Sequence, residues 1–499
     1  MTAILPVCLL VALVWTAVVF LRGGLLGGCL IVLLAGTCFG APFFHLPGPV
    51  PLTADRLLWV VLLVQYVIWR RLGLADDKPW GAAEIVLCAF FGVLAVSTFS
   101  HDWQANDWLP LARLLFYYAM PFGLYWVARA IRFSERGALV LFASLGVFGV
   151  YLAATALAET TQQWWLVFPR YIGSTAERDF LGRARGPLLN PAGSGLLTGV
   201  CLAAALMGWP RLNRRGRLLL VVASLGMGLG VFCTYTRSPW LGAGLGVFIL
   251  LALTLPRAWR GLVLGSLVLS VALVGAAKWE RILAFKRDED AGVRAAAESV
   301  EMRPILALVA WNMFLDRPLT GCGFGQYADR HVDYLADRSS GLALEKARAY
   351  SQHNLFLSLL AETGLVGLAL FVLLLMLWTR DAWRVWRSRS APLGVRQIAL
   401  LFFVLLANYG VIALFHEVSL IPMVHMFFFF LAGITAGLRA YGSRAPAVAS
   451  PIEPCLVLCQ ARELGLGGWG RVKRAPSGFG LGAHCVRPQP PQNQDLTQH

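Results

Sequence analysis

Long apolar segments recur along this chain from residue 3 to residue 438 and restrict its fold more than any other feature. Most have the length, about 17 to 25 residues, at which a helix crosses a hydrocarbon core of about 30 Å. Because lipid offers the backbone no hydrogen-bond partners, these segments must be helices, and the alternating pattern of barrel strands is absent. Hydrophobic residues make up 58% of the chain and charged residues 14%, which excludes a soluble fold.

The apolar segments predict an all-α, polytopic membrane protein with about 12 to 13 transmembrane helices and a large outer loop between late helices. The short third segment could instead be re-entrant. We expect N-terminal membrane helices over 1–157, a membrane core over 158–439, and a disordered cytoplasmic tail, rich in Gly, Pro, Arg and Gln, over 440–499. The predicted spans are 3–21, 24–44, 57–69, 82–99, 111–128, 137–157, 191–209, 218–235, 240–255, 261–277, 355–378, 397–415 and 421–438.

Arginine-rich short loops set the predicted orientation. The clearest lie at 211–217 and 380–396, and the positive-inside rule places both in the cytoplasm. Alternation then puts the N-terminus and two long segments, 158–190 and 278–352, outside. The net charge of +16 is thus explained by topology rather than by nucleic-acid binding.

The larger outer segment contains two predicted elements. Residues 298–315 have a partly apolar helical pattern, with Pro304 tolerated near the first turn, and should lie against the membrane surface. Residues 316–325 contain one Pro and three Gly, which predicts a tight turn that exposes its backbone.

His353 and Asn354 directly precede the span that begins at Leu355, at the predicted outer boundary of the membrane. With an unperturbed pKa near 6.5, His353 is a candidate base, and the alternative is an interfacial histidine without a chemical role. Asn354 could orient a substrate hydroxyl or merely cap the following helix.

Four arginines on the predicted outer side are candidates for binding an anionic group. Arg237 lies between two apolar segments, Arg303 opens the predicted loop helix, and Arg183 and Arg185 lie in the first outer segment. The planar guanidinium matches two phosphate oxygens at once, so four converging arginines would form a diphosphate site. Taken singly, each could be a solvated or snorkelling charge.

Two acidic groups could bind a metal ion. Asp288, Glu289 and Asp290 are flanked by Lys286 and Arg287, which favours a solvated charge run. Asp102 and Asp107, in the first polar outer loop, could form a catalytic or metal-binding pair. No phosphate-binding loop, zinc helix or serine elbow occurs at a credible site, and we predict neither a metal nor a cofactor.

The segment from His353 to Gly367 resembles the signature of the O-antigen ligase and polymerase superfamily. There, His-Asn is followed after nine residues by Gly, two residues and a small residue. The resemblance covers about 180–440. Further motifs that are similar to those of the family are Arg303 to Trp311, Pro318 to Gly325, Thr236 to Ser238, and Gly186 to Pro191.

This resemblance implies a metal-independent, inverting glycosyltransferase in the bacterial inner membrane. It implies an undecaprenyl-diphosphate-linked glycan as donor, a lipid, glycan or protein hydroxyl as acceptor, and an active site on the periplasmic face. Arg237 and Arg303 would hold the diphosphate, and His353 would assist the acceptor. The further substrate-binding candidates are Arg183, Arg185, Asn190 and Asn354. Membrane lipids are expected partners, and nucleic acid is not.

Two other functions stay open on the sequence. About a dozen helices would suit a transporter or a lipid-glycan flippase, although inverted repeats and helices broken near the midplane are not evident. A metal-dependent membrane glycosyltransferase centred on Asp102 and Asp107 is the second alternative.

Overall fold

The computed structural model describes residues 4–40, 42–46, 52–174, 180, 182–283, 293–337, 341–350 and 352–439, which belong to one compact unit, Met1–Arg444. The predicted tail at 440–499 lies outside the described residues, as does the acidic group at 288–290.

Helices account for most of the described chain. The fifteen α-helices within it are α1 Ile4–Cys38, α2 Ala54–Arg71, α3 Ala82–Phe99, α4 Ala105–Ala112, α5 Met120–Arg129, α6 Glu135–Thr160, α7 Pro191–Met207, α8 Arg214–Cys233, α9 Arg237–Thr254, α10 Arg257–Leu283, α11 Val293–Asp316, α12 Tyr327–Arg330, α13 Leu355–Arg387, α14 Leu393–Ala413 and α15 Pro422–Leu438. A π-helix, Arg113–Ala119, joins α4 to α5. The short strands β1 His45–Leu46 and β2 Leu52–Thr53 pair antiparallel.

The prediction of an all-α polytopic membrane protein is confirmed. Each of the thirteen predicted spans falls on a helical segment, and seven described helices are long and apolar enough to cross a membrane. Two further apolar helical segments are shorter: Arg22–Cys38, which is part of α1, and Pro422–Leu438, which is α15. The helix predicted at 298–315 is also present, as the central and C-terminal part of α11.

Small residues allow α7, α9 and α14 to pack closely. A Cβ added to Gly242 would lie 2.9 Å from Oδ1 of Asn408, and one added to Gly246 would lie 2.8 Å from its Nδ2. Asn408 is fully buried, and its Nδ2 donates to the carbonyl of Val404 at 3.0 Å. Small residues at a helix interface permit such backbone approach in membrane proteins. The close packing fixes the position of α9, whose first residue is Arg237.

A glycine interrupts α13 and creates a docking place for the loop that follows α11. Gly364 has φ 62° and ψ −162°, so the helix kinks and nearby backbone groups lose their helical partners. The loop supplies new ones, because Leu365 N donates to Pro318 O at 2.8 Å and Gly323 N donates to Glu362 O at 3.0 Å. The Gly-rich turn predicted at 316–325 is therefore present, but residues 321–325 are buried and are joined to α13 by backbone hydrogen bonds, so this part of the turn does not expose its backbone as predicted.

Glycine is required at this contact for two reasons. Gly321 and Gly364 both have φ in the left-handed region, which other residues adopt at a cost. A Cβ at Gly321 would also lie 2.4 Å from the carbonyl carbon of Glu362, and one at Gly364 would lie 2.4 Å from that of Leu319. The contact holds the loop after α11 against α13, whose first turn follows His353.

Candidate functional site

Arg237 and Arg303, which are distant in sequence, line one cavity of about 250 Å³. It lies where the start of α9, the middle of α11 and the segment after α14 meet. The described lining residues, none of which is acidic, are Thr236, Arg237, Ser238, Leu241, Arg303, Phe415 and His416. The cavity therefore has a positively charged lining, as a site for an anionic group requires.

Two buried threonines fix the turn that places Arg237. Thr234 Oγ1 donates to Val231 O at 2.7 Å, and Thr236 Oγ1 donates to Thr234 O at 2.8 Å. Tyr235 between them has a positive φ of 44°, so the chain turns sharply from α8 into α9. Arg237 is the first residue of α9, where the positive end of the helix dipole adds to its own charge.

Arg303 lies on the part of α11 that packs into the protein. Its neighbours Met302 and Ile305 are buried, and its Cζ lies 5.0 Å from the centroid of the Phe415 ring. Burial and then the charge of Arg237 lower the pKa of Arg303, although a guanidinium stays protonated at neutral pH. Two like charges thus face one cavity, and an anion bound there would offset their repulsion.

His353 lies within electrostatic range of Arg303. Its backbone N–H donates to Oε1 of Gln352 at 2.9 Å, and Nε2 of Gln352 donates to Leu306 O of α11 at 3.2 Å. The imidazole reaches solvent, yet desolvation by the surrounding protein and the charge of Arg303 lower the pKa of His353. The three residues predicted as catalytic are therefore electrostatically coupled, and the lowered pKa favours a neutral imidazole that can accept a proton.

Asn354 makes the hydrogen bonds of a helix cap. Its Oδ1 accepts from the backbone N–H groups of Phe356 at 2.9 Å and Leu357 at 3.0 Å, and its Nδ2 donates to Leu414 O at 3.0 Å. The side chain thereby connects the start of α13 to the segment that carries Phe415. Of the two roles considered for Asn354, the structure shows that of the helix N-cap.

Arg185, one of the four arginines expected to converge, donates to carbonyl groups of its own loop. The side chain is buried, and its Nη2 donates to the carbonyls of Ile172 at 2.9 Å and Ser174 at 3.0 Å. Its backbone N–H donates to Oε2 of Glu159 at 3.1 Å. Arg185 therefore holds the segment between α6 and α7 in its compact shape and does not line the cavity.

Arg183 and Asn190 do not line the cavity either. The Cζ of Arg183 lies 5.5 Å from the ring centroid of Phe180 in the same loop. Asn190 caps α7, because its Oδ1 accepts from the N–H groups of Ala192 at 2.9 Å and Gly193 at 3.0 Å. The described cavity thus combines two of the four predicted arginines.

Phe415 and His416 line the cavity although the sequence analysis did not single them out. Phe415 lies beneath the guanidinium of Arg303, and Nε2 of His416 lies 3.1 Å from Oγ of Ser238. The sequence signal was the polar pair His416 and Glu417, directly after the predicted span that ends at Phe415. No spacing rule connected that pair to Arg237 or Arg303.

A buried ion-pair network lies next to this segment. Arg113 Nη1 contacts Glu362 Oε1 at 2.6 Å, and its Nη2 contacts Glu417 Oε1 at 2.7 Å. Ser358 Oγ also donates to Glu417 Oε1 at 2.9 Å. Because Glu417 directly follows His416 and Glu362 lies in α13, the network fixes one side of the cavity relative to the helix that begins beside His353. Its sequence signal was an ionisable residue within an apolar span.

Asp102, one of the acidic candidates for metal binding, has two hydrogen bonds within the protein. Asp102 Oδ1 accepts from the N–H of Gln104 at 3.1 Å, which is a local turn, and its carbonyl accepts from Nε2 of Gln326 at 2.7 Å. Among the described residues, no group of three or more His, Cys, Asp or Glu side chains is arranged to hold a metal ion.

Comparison with known families matches residues 218–372 to the family described as O-antigen ligase. The matched segment runs from α8 into α13, so it contains Arg237, Arg303, His353 and the glycine contact at Gly364. It ends before Phe415 and His416. No curated protein matches the chain.

Proposed function

We propose that this chain, whose residues 218–372 match the O-antigen ligase family, transfers a glycan from an undecaprenyl-diphosphate carrier to an acceptor hydroxyl with inversion. The observation that carries the proposal is the pairing of Arg237 and Arg303 in one cavity, with His353 in the electric field of Arg303. The acceptor hydroxyl belongs to a lipid, a glycan or a protein.

In this mechanism the two arginines bind the diphosphate. As the bond between the anomeric carbon and the diphosphate oxygen breaks, the electron pair and the negative charge move to the leaving group. Fixed guanidinium groups stabilise that developing charge more in the transition state than in the ground state. The diphosphate is already a good leaving group, so in this proposal fixed charge and positioning are sufficient for transfer.

His353 accepts the proton of the acceptor hydroxyl. The acceptor oxygen attacks the anomeric carbon from the face opposite the diphosphate, which gives inversion, and its proton passes to the imidazole. A base must be unprotonated at the working pH, and burial together with Arg303 favours that form by lowering the pKa of His353. The charge of Arg303, which binds the donor, therefore also favours the unprotonated form of His353.

The arrangement of the helices supports an outer active site. His353 precedes the first turn of α13, whereas the basic loop at 380–396 begins in its last turns. Likewise α8 begins beside the basic loop at 211–217 and ends shortly before Arg237. The candidate site and the arginine-rich loops thus lie at opposite ends of the same helices, as expected if the loops are cytoplasmic and the site is periplasmic.

The test is glycan transfer by purified His353→Ala in liposomes, with a lipid-diphosphate glycan and excess chelator. General-base catalysis contributes on the order of 10² to 10⁴ in rate, so we expect a loss of that size while donor binding is retained. The control is wild-type protein with chelator, which should keep its activity. Transfer by His353→Ala within a few-fold of wild type would refute the base, and loss of wild-type transfer in chelator would favour the metal-dependent alternative.

A further inference from the structure

A second and larger cavity, of about 690 Å³, lies at the far end of α13 from His353. The last turn of α5, the last turns of α13 and the residue after α15 form its walls. Its basic lining residues, which together we call the basic cavity, are Lys78, Arg129, Arg384, Arg387 and Arg439. At 1.5 Å per residue, Arg384 is about 40 Å along the helix from Leu355, so this cavity is separate from the candidate active site.

The basic cavity has more positive than negative charge. Asp76 lies 3.5 Å from Lys78, and Glu84 lies 3.0 Å from Arg129. Asp381 lies 3.1 Å from Arg439 and 3.9 Å from Arg384, and Arg380 shares it at 3.5 Å. Three carboxylates are therefore shared among the five lining cations and Arg380, which leaves a surplus of positive charge.

Depth and exposure divide the cations into two groups. The side chains of Lys78 and Arg129 are 8% and 7% exposed, so their charges are poorly screened by solvent. The side chains of Arg384 and Arg439 are 60% and 25% exposed and stand nearer the opening. Arg387 is exposed as well. The cavity can therefore hold an anionic group among these outer arginines, in front of Lys78 and Arg129, which Asp76 and Glu84 already pair.

Apolar and aromatic groups complete the wall. Trp383, which is 43% exposed, lines the cavity together with Val385 and Ala436, and its ring lies 5.9 Å from Cζ of Arg387. Tryptophan beside arginine at the end of a membrane helix is typical of the headgroup region. A free inorganic anion would use the charges alone, whereas a lipid would use the charges and this apolar flank together.

We propose that the basic cavity binds the phosphate headgroup of an anionic phospholipid, with the acyl chains running along the apolar side of α13. Basic pockets between membrane helices on the cytoplasmic side are suited to such headgroups. The chain's own tail is a poor occupant on charge grounds, because residues 440–499 contain six Arg or Lys and only three Asp or Glu. The lipid would tie together the ends of α5, α13 and α15 on the face opposite the glycan site.

The experiment measures lipid retention on purified full-length protein by native mass spectrometry. Phosphatidylglycerol is titrated against wild type, and phosphatidylcholine and glycerol 3-phosphate serve as competing probes. Arg384 and Arg387 are exposed, so the variant Arg384→Gln/Arg387→Gln should fold. Because the variant removes two of the cations that would contact the phosphate, its apparent Kd for phosphatidylglycerol should rise at least about 10-fold. Arg389→Gln, an exposed neighbour outside the cavity, should change Kd less than about twofold.

Retention of phosphatidylglycerol but not phosphatidylcholine, lost in the double variant alone, would support the proposal. Displacement of the lipid by equimolar glycerol 3-phosphate would overturn it in favour of a soluble-anion site. Equal retention of the two lipids would overturn it by removing the role of headgroup charge. An unchanged double variant, or an equally large effect of Arg389→Gln, would show that the lipid binds elsewhere or through general surface charge.

Discussion

Arg113 and Arg303 both contact the same short segment, residues 414–417, but their charges have different surroundings. Arg113 contacts the carboxylates of Glu362 and Glu417 at 2.6 and 2.7 Å in the interior. Arg303 shares a cavity with Arg237, and no described lining residue of that cavity is acidic. The first arginine is neutralised by the protein itself, whereas the second contributes positive potential that a ligand can use.

This contrast separates residues that hold the fold from residues that face a ligand. Arg185 donates to two backbone carbonyls in its own loop, so its donors serve the fold as those of Arg113 do. Asn190 and Asn354 use their side-chain oxygens on helix N-termini. Substitution should therefore reduce stability at residues that hold the fold and reduce glycan transfer at residues that face a ligand.

The largest effect is expected from Arg113→Met. It would leave Glu362 and Glu417 buried without their counter-charge, and burial already raises the pKa of Glu417 against the opposing charge of Arg113. Breaking one side of a buried ion pair typically costs about 3–5 kcal/mol, so we expect a large drop in thermal stability and in the yield of folded protein. Fluorescence-detected size exclusion after heating measures it.

A charge-neutral triple variant is the control for Arg113. Arg113→Met combined with Glu362→Gln and Glu417→Gln leaves no buried charge, so it should recover much of the lost stability. If Arg113→Met were as stable as wild type and lost only glycan transfer, Arg113 would belong with Arg237 and Arg303 instead.

Charge-conserving changes in the cavity should reduce glycan transfer and leave thermal stability unchanged, unlike Arg113→Met. Arg237→Lys and Arg303→Lys keep the positive charge but lose the planar fork that binds two phosphate oxygens. A lost hydrogen bond to a charged group corresponds to about 1.5–3 kcal/mol, so we expect transfer to fall about 10- to 150-fold with unchanged thermal stability. Arg330→Lys, at an exposed position in the same region, is the matched control and should transfer normally. Near-wild-type transfer by Arg237→Lys would remove its role in donor binding.

The helices and the main candidates were predictable because their signals are local. Apolar segments specify membrane helices, and His353 and Asn354 were placed directly before the segment that begins α13, whereas the kink at Gly364 was not predicted. The positions of Arg185 and Arg113 were not predictable in this way. Each is determined by partners distant in the chain or by loop carbonyls, and no residue spacing encodes those contacts.

The positions of Phe415 and His416 in the cavity were not predictable from the sequence either. Both residues are ordinary in sequence and reach the cavity only because α14 ends beside α9 and α11. The Gly-rich turn was predicted as a turn, but its docking on the α13 kink depends on backbone groups that only Gly364 releases. No side-chain pattern in the sequence predicts which distant backbone groups will form hydrogen bonds with each other.

The pH dependence of transfer tests whether Arg303 and His353 are coupled. Burial and the charge of Arg303 lower the pKa of His353, and the neutral imidazole is the active form, so wild-type kcat/KM should fall as pH drops below 6.5 through that lowered pKa. Arg303→Gln removes one of the two causes, so the midpoint of its residual activity should move up toward about 6.5. Arg330→Gln should leave the midpoint in place. Identical midpoints for wild type and Arg303→Gln would show that the two groups act independently.

The smallest effect should come from Asn354, and Asn190 is its matched control. Both cap a helix through Oδ1 with the same two distances, 2.9 and 3.0 Å, and Asn354 also donates to Leu414 O, next to Phe415 of the cavity. Replacing either by Ala removes the cap and should cost about 1 kcal/mol of stability, whereas Ser keeps an acceptor oxygen and should cost less. Because we assign Asn354 to the cap, Asn354→Ser should transfer within a few-fold of wild type, as Asn190→Ser should. A loss of more than about 10-fold in Asn354→Ser alone, at unchanged thermal stability, would move Asn354 from the residues that hold the fold to those that contact substrate.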